Sequence, residues 1–181
     1  MKASSVNAFA CALLVALVAG CTLPGLSVTP QVPDNLRPPS SQRLALEADA
    51  TGVQIYDCKA AADNAARFEW TFRAPEADLF DGWGKKIGKH YAGPTWESYD
   101  GSKVVGETRA RSDAADPNAI PWLLLDAKSK SGDGVLGQVT SIQRTQTVGG
   151  KAPAQPCNST LAGNQVRVAY SAKYYFYEAK R

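Results

Sequence analysis

One histidine, four cysteines and no run of like charge are what this 181-residue chain offers to the commonest kinds of chemistry. With His90 alone, any metal centre would have to be built from carboxylates, and no acids fall at the spacing of a calcium loop. No cysteine has a neighbouring ligand at zinc-like spacing, so no metal site is assigned. The charge is mild: 20 basic and 17 acidic residues give a formal +3, and no basic patch interleaved with aromatics appears, which argues against nucleic acid. Gly82-Trp83-Gly84-Lys85-Lys86-Ile87-Gly88 is one residue too long for a dinucleotide fingerprint, and it precedes a Gly93-Pro94 turn where a helix should begin. No nicotinamide or other cofactor is expected, and nothing beyond the leader keeps a helical period.

What is present begins with an address. Lys2 is followed by an apolar run through Leu13-Leu14-Val15-Ala16-Leu17-Val18, which reads as a signal peptide over 1–20 and is too short for a membrane span. Val18-Ala19-Gly20-Cys21 resembles the bacterial lipobox, so Cys21 is the expected lipidation site and palmitate-type acylation the expected membrane anchor. Thr22 in place of aspartate favours the outer membrane, facing periplasm or surface. Residues 21–43 carry Pro24, Pro30, Pro33, Pro38 and Pro39 among polar residues, the composition of an extended tether.

Residues 44–181 are then one domain, with period-two patterning throughout. Val166, Val168, Tyr170, Ala172, Tyr174 and Phe176 share one face of a long final strand. Phe68, Trp70 and Phe72 form another apolar face and are assigned, with Trp122, to the core. Val139 to Val148 is a β-branched strand, and Trp122-Leu123-Leu124-Leu125 suits a strand covered on both sides. Lys59 to Arg67 could hold one helical turn. The fold is expected to be mainly β, an antiparallel β-sandwich or β-barrel. Cys58 and Cys157 are an even pair in an exported domain and are expected to form a disulfide.

The stretch from Ile87 to Val105 concentrates the chemistry. Asp100-Gly101 marks a hairpin turn between Thr95 to Tyr99 and Lys103 to Thr108. His90 beside Tyr91, with Glu97 and Asp100 near in sequence, could act as a general base, and the acids Glu76, Asp78, Asp81, Glu97 and Asp100 could supply a carboxylate pair. Trp83, Tyr91, Trp96 and Tyr99 could stack a flat ligand. The candidate binding residues are therefore His90, Tyr91, Trp96, Glu97, Tyr99 and Asp100. Asn158-Ser159-Thr160 matches a glycosylation sequon, a chance match in a bacterial lipoprotein.

Gly52 to Cys58, Phe68 to Phe80, Ile87 to Gly106, Ile120 to Ala127, Val139 to Pro153 and Cys157 together resemble a family of exported bacterial and fungal proteins, domain of unknown function 3455. The His-Tyr-Ala-Gly-Pro-Thr-Trp-Glu segment is a quite specific part of the likeness. The resemblance implies no activity, and the malate dehydrogenase label of some fungal members fails on the missing fingerprint. The leading expectation is an envelope lipoprotein that binds a small molecule, an envelope polymer or a partner protein without catalysis. The alternatives are a hydrolase-like enzyme using His90 with Glu97 or Asp100, and a structural or assembly lipoprotein using the exposed face of the last strand.

Overall fold

The computed structural model describes residues 31–181. The signal peptide, Cys21 and most of the tether lie outside the described residues. Eight strands follow in order: β1 (Gln42–Ala61), β2 (Asn64–Phe80), β3 (Lys86–Tyr91), β4 (Thr95–Ser98), β5 (Lys103–Ser112), β6 (Trp122–Ser131), β7 (Val139–Gly149) and β8 (Gln165–Ala179). Each pairs antiparallel with the next, and β8 returns to β1, so the sheet closes into a barrel. Closure leaves no free sheet edge over the paired length. Of the two expected architectures, the chain adopts the barrel.

Side-chain size explains how eight strands close around this interior. Ala48 and Ala50 on β1 and Ala172 on β8 are small and buried, which leaves room for Trp96, Tyr174 and Phe176. At Gly106 an added Cβ would lie 2.9 Å from the Trp96 ring, so β5 can approach that ring only without a side chain. Leu79, Val104, Leu136, Val139 and Ile142 join them in the core.

One end of the barrel is plugged. The β4–β5 hairpin turns at Gly101, whose φ is +86°, and Asp100 binds across to the β6–β7 loop. Its Oδ1 accepts from the Ser102 amide and hydroxyl at 2.9 and 2.6 Å, and its Oδ2 accepts from the Val135 amide at 2.8 Å. Leu136, held also by its amide donating to Ser102 Oγ at 3.0 Å, fills the interior beneath. Asp100 is thus a loop clamp.

The segment before β1, expected to be tether, packs against the barrel. A 3-10 turn at Asp34–Leu36 lies against the outer face of β5 and β6. Leu36 is fully buried, its carbonyl accepts from Gln143 Nε2 at 2.6 Å, and Asn35 Nδ2 donates to the Arg111 carbonyl at 3.0 Å. The outward Leu124 and Gln143 are paired across β6 and β7, and both are buried, so β6 is covered on both sides as its sequence suggests.

At the opposite end the β1–β2 hairpin runs past the barrel. From Asn64 to Glu76, β2 pairs with β1 alone, because β3 joins only from Ala77 onward. The expected helical turn at Lys59 to Arg67 is instead the strand ends and a two-residue turn. Phe68 and Trp70 are only partly buried and Phe72 is half exposed, a correction to their assignment as core. Cys58 and Cys157 are disulfide-bonded, 99 residues apart, and tie the base of this hairpin to the segment before β8. Closing so long a loop stabilises the fold by about 4 to 5 kcal/mol in the chain-entropy view.

Candidate functional site

The unplugged half of the barrel holds a cavity of about 720 Å³. An eight-stranded barrel is just wide enough either to be filled by side chains or to hold one small ligand, and this one does both, in different halves. The cavity reaches from a mouth lined by Phe72, Pro94 and Pro121 to His90, Trp96 and Tyr174 at its floor. Leu123, Leu125 and Ile120 supply apolar wall.

Strand alternation decides which candidates reach it. His90 on β3 pairs with Trp96 on β4, and both point inward. Their rings stack at 4.3 Å and 11°, with Tyr174 edge-on to each at 5.2 and 5.3 Å. His90 Nδ1 lies 2.9 Å from the Thr95 carbonyl, which can only accept, so Nδ1 carries the proton and Nε2 keeps the lone pair. Burial holds the His90 pKa down to about 3; the Thr95 carbonyl works against this shift and the Arg144 cation reinforces it. The ring is neutral across the physiological range.

The neighbouring candidates face elsewhere. Tyr91 and Glu97 occupy the outer side of the same strands, where the Tyr91 hydroxyl donates to Glu97 Oε2 at 2.7 Å. That bond, more than Lys103 at 3.4 Å and Lys89 at 3.6 Å, lowers the Glu97 pKa. Asp100 sits at the plugged end, its pKa pulled to about 2 chiefly by Ser102 and then by the Val135 amide. Tyr99 and Trp83 are exposed, in the β4–β5 and β2–β3 turns respectively. Neither carboxylate reaches the His90 ring, so the histidine–carboxylate pair of the hydrolase alternative is not formed. Glu76 pairs with Arg167 and Asp78 with Lys86, while Asp81 caps its own turn, so each of these acids already has a partner. Among the described residues no three His, Cys, Asp or Glu side chains gather as a metal site would require.

The cavity also draws on residues that the reading of the sequence left aside. Gln54 and Tyr56 come from β1, Arg144 from β7 and Tyr174 from β8. Tyr56 is fixed by its hydroxyl donating to the Gly150 carbonyl at 2.7 Å. Arg144 pairs in register with Tyr174 and donates through Nε and Nη2 to the Pro121 carbonyl at 3.1 and 2.8 Å. A bulge follows immediately, with Gln146 at φ +50°, and breaks the β7–β8 register beside the cavity. The signal was present: Arg144 shares the inward face of β7 with Ile142, an anomalous place for a cation unless something polar is to be met there.

Four cations line the cavity, Arg73, Arg111, Arg144 and Lys151, and no carboxylate does. Several buried polar atoms close no hydrogen bond, among them Gln54 Nε2, Trp96 Nε1 and the Tyr174 hydroxyl. Gln54, Tyr170, Tyr174 and Arg144 lie close enough to influence one another electrostatically, and burial raises both tyrosine pKa values.

The expected interface of the structural alternative carries ion pairs along the barrel's own surface. On the outer side of β8, Lys173 pairs with Glu47 at 2.5 Å and Asp49 at 3.3 Å, Arg167 pairs with Glu76, and Tyr175 is buried.

Residues 39–178 match the model of a family described as "Protein of unknown function (DUF3455)". No curated protein and no solved structure matches the chain.

Proposed function

The chain belongs to a protein family of unknown function, DUF3455, and we propose that it is a lipid-anchored envelope protein that binds one small molecule, without catalysis, inside its barrel. The observation that carries the binding reading is the cavity of about 720 Å³, apolar along its walls and ending on the stacked His90–Trp96 pair. Its size falls in the ordinary range of small-ligand sites. Leu123, Leu125, Ile120 and the aromatic floor leave a space that the barrel's own side chains do not fill, the shape a small-ligand site requires.

Support for the anchor is of a different kind. It rests on the order Lys2, apolar run, then Val18-Ala19-Gly20-Cys21, which acylation of Cys21 would turn into an outer-membrane anchor. The Cys58–Cys157 bond suits the oxidising envelope to which that signal leads.

The binding reading is tested by exposing the purified protein to small molecules extracted from bacterial envelopes and weighing the complex by native mass spectrometry. A single small-molecule adduct is expected on the wild type. It should disappear in Thr108→Trp, which places an indole in the cavity wall. No adduct, or an adduct indifferent to Thr108→Trp, sinks the reading.

A further inference from the structure

We propose that the ligand of this cavity is an anionic amphiphile, an organic acid whose carboxylate, sulfonate or phosphate head is gripped by Arg144 while its apolar body lies along Leu123, Leu125 and Ile120. This rests on the cavity being a binding site at all.

The first argument is charge. Four cations line the cavity without one acid. Three of them are engaged: Arg73 lies 3.6 Å from Asp57, Arg111 lies 3.9 Å from Asp113, and Lys151 donates to the Pro117 carbonyl at 2.5 Å. Arg144 has no carboxylate within ion-pair distance among the described residues. Of the five N–H donors of its guanidinium, two meet the Pro121 carbonyl and one side faces the Tyr174 hydroxyl, which leaves two for a ligand.

The second argument is the kind of polar atom left unsatisfied. Buried donors and acceptors are almost always paired, and an orphan marks a missing partner. Gln54 Nε2 and Trp96 Nε1 belong to cavity-lining side chains only 2 % and 1 % exposed, and each can only donate. The Tyr174 hydroxyl, fully buried, stands beside Tyr170 and Arg144. A spare guanidinium in a wall that offers no carboxylate is complementary to an acceptor bearing negative charge. The apolar wall beyond it excludes a bare inorganic ion as sufficient occupant, since such an ion would leave that surface uncovered.

The test uses two fluorescent probes that share one ring system: anilinonaphthalene sulfonate, an anion, and phenylnaphthylamine, its uncharged counterpart. The sulfonate should bind the wild type about tenfold or more tightly than the amine, as a charged hydrogen bond to a buried group warrants. Raising salt should weaken the sulfonate alone. Arg144→Met should remove that tenfold preference and leave the amine within about twofold, while Arg144→Lys should keep part of it. Millimolar inorganic phosphate should displace neither probe. If Arg144→Met fails to fold, Arg144→Lys and the salt series on the wild type decide. Equal binding of the two probes, a sulfonate affinity indifferent to Arg144 or to salt, or displacement by phosphate alone overturns the anionic amphiphile. If neither probe binds, the cavity reading itself falls.

Discussion

Taking His90 out of water disfavours its imidazolium form, and the fold holds the group neutral down to about pH 3 against the usual 6.5. The unfolded chain therefore binds a proton in the interval where the folded chain does not, so stability falls as pH drops through that interval. The slope is at most about 1.4 kcal/mol per pH unit. The carboxylates whose folded values are depressed, Asp100, Glu97, Asp57 and Asp63, work at lower pH: their contribution is present above about pH 4 and is lost as the pH falls further. Between about pH 6.5 and 4.5 the histidine term therefore stands alone. In urea titrations the wild-type midpoint should fall across this interval, and that of His90→Gln should stay flat. Parallel curves would show that the ring is hydrated in the folded protein. The same alternation that buries His90 separates it from Glu97, since Glu97 follows Trp96 directly and a strand puts the two on opposite faces.

Single elements carry contributions of a different kind. Leu36 belongs to no strand, yet it is fully buried and its carbonyl satisfies Gln143 on the outer wall. Leu36→Ala should cost about 2 to 4 kcal/mol, the loss typical of a truncated buried leucine, read as a lowered denaturation midpoint. A change within about 0.5 kcal/mol would mean that the segment is only loosely held. This docking was not legible in Pro33-Asp34-Asn35-Leu36-Arg37-Pro38-Pro39, because one leucine among prolines carries no period. Strands with internal alternation were legible: β7, β8 and the β4–β5 hairpin fall where their patterns place them. The Phe68-Trp70-Phe72 face shows the limit of that logic. Alternation shows that one face is apolar, and whether anything covers it depends on the neighbours, which here stop short of the β1–β2 overhang.

At the scale of the whole molecule, the two barrel ends differ, and the described N-terminal segment packs near the cavity end. Asn35 bonds the carbonyl of Arg111, a residue that lines the cavity, so Asp34 and Asn35 lie at the cavity end of β5. From Asp34 back to Cys21 is 34 − 21 = 13 residues. Fully stretched, that length reaches roughly 45 Å, and in a polyproline-like conformation about 40 Å. If Cys21 is acylated as proposed and the intervening chain is taut, the mouth is expected on the side of the barrel nearer the membrane, and the plugged end, with Trp83, Tyr99 and the β6–β7 loop, on the side away from it. Cys21→Ser should move the protein from the membrane to the soluble fraction and abolish acyl labelling. In the acylated protein reconstituted into vesicles, a fluorophore at Asp113→Cys, just beyond β5, should be quenched more strongly by nitroxide lipids than one at Asp133→Cys in the loop at the plugged end. Equal quenching would mean that the tether lets the barrel turn freely. A mouth facing the bilayer would give an amphiphile a short path between lipid and Arg144, and the label experiment decides whether that path exists.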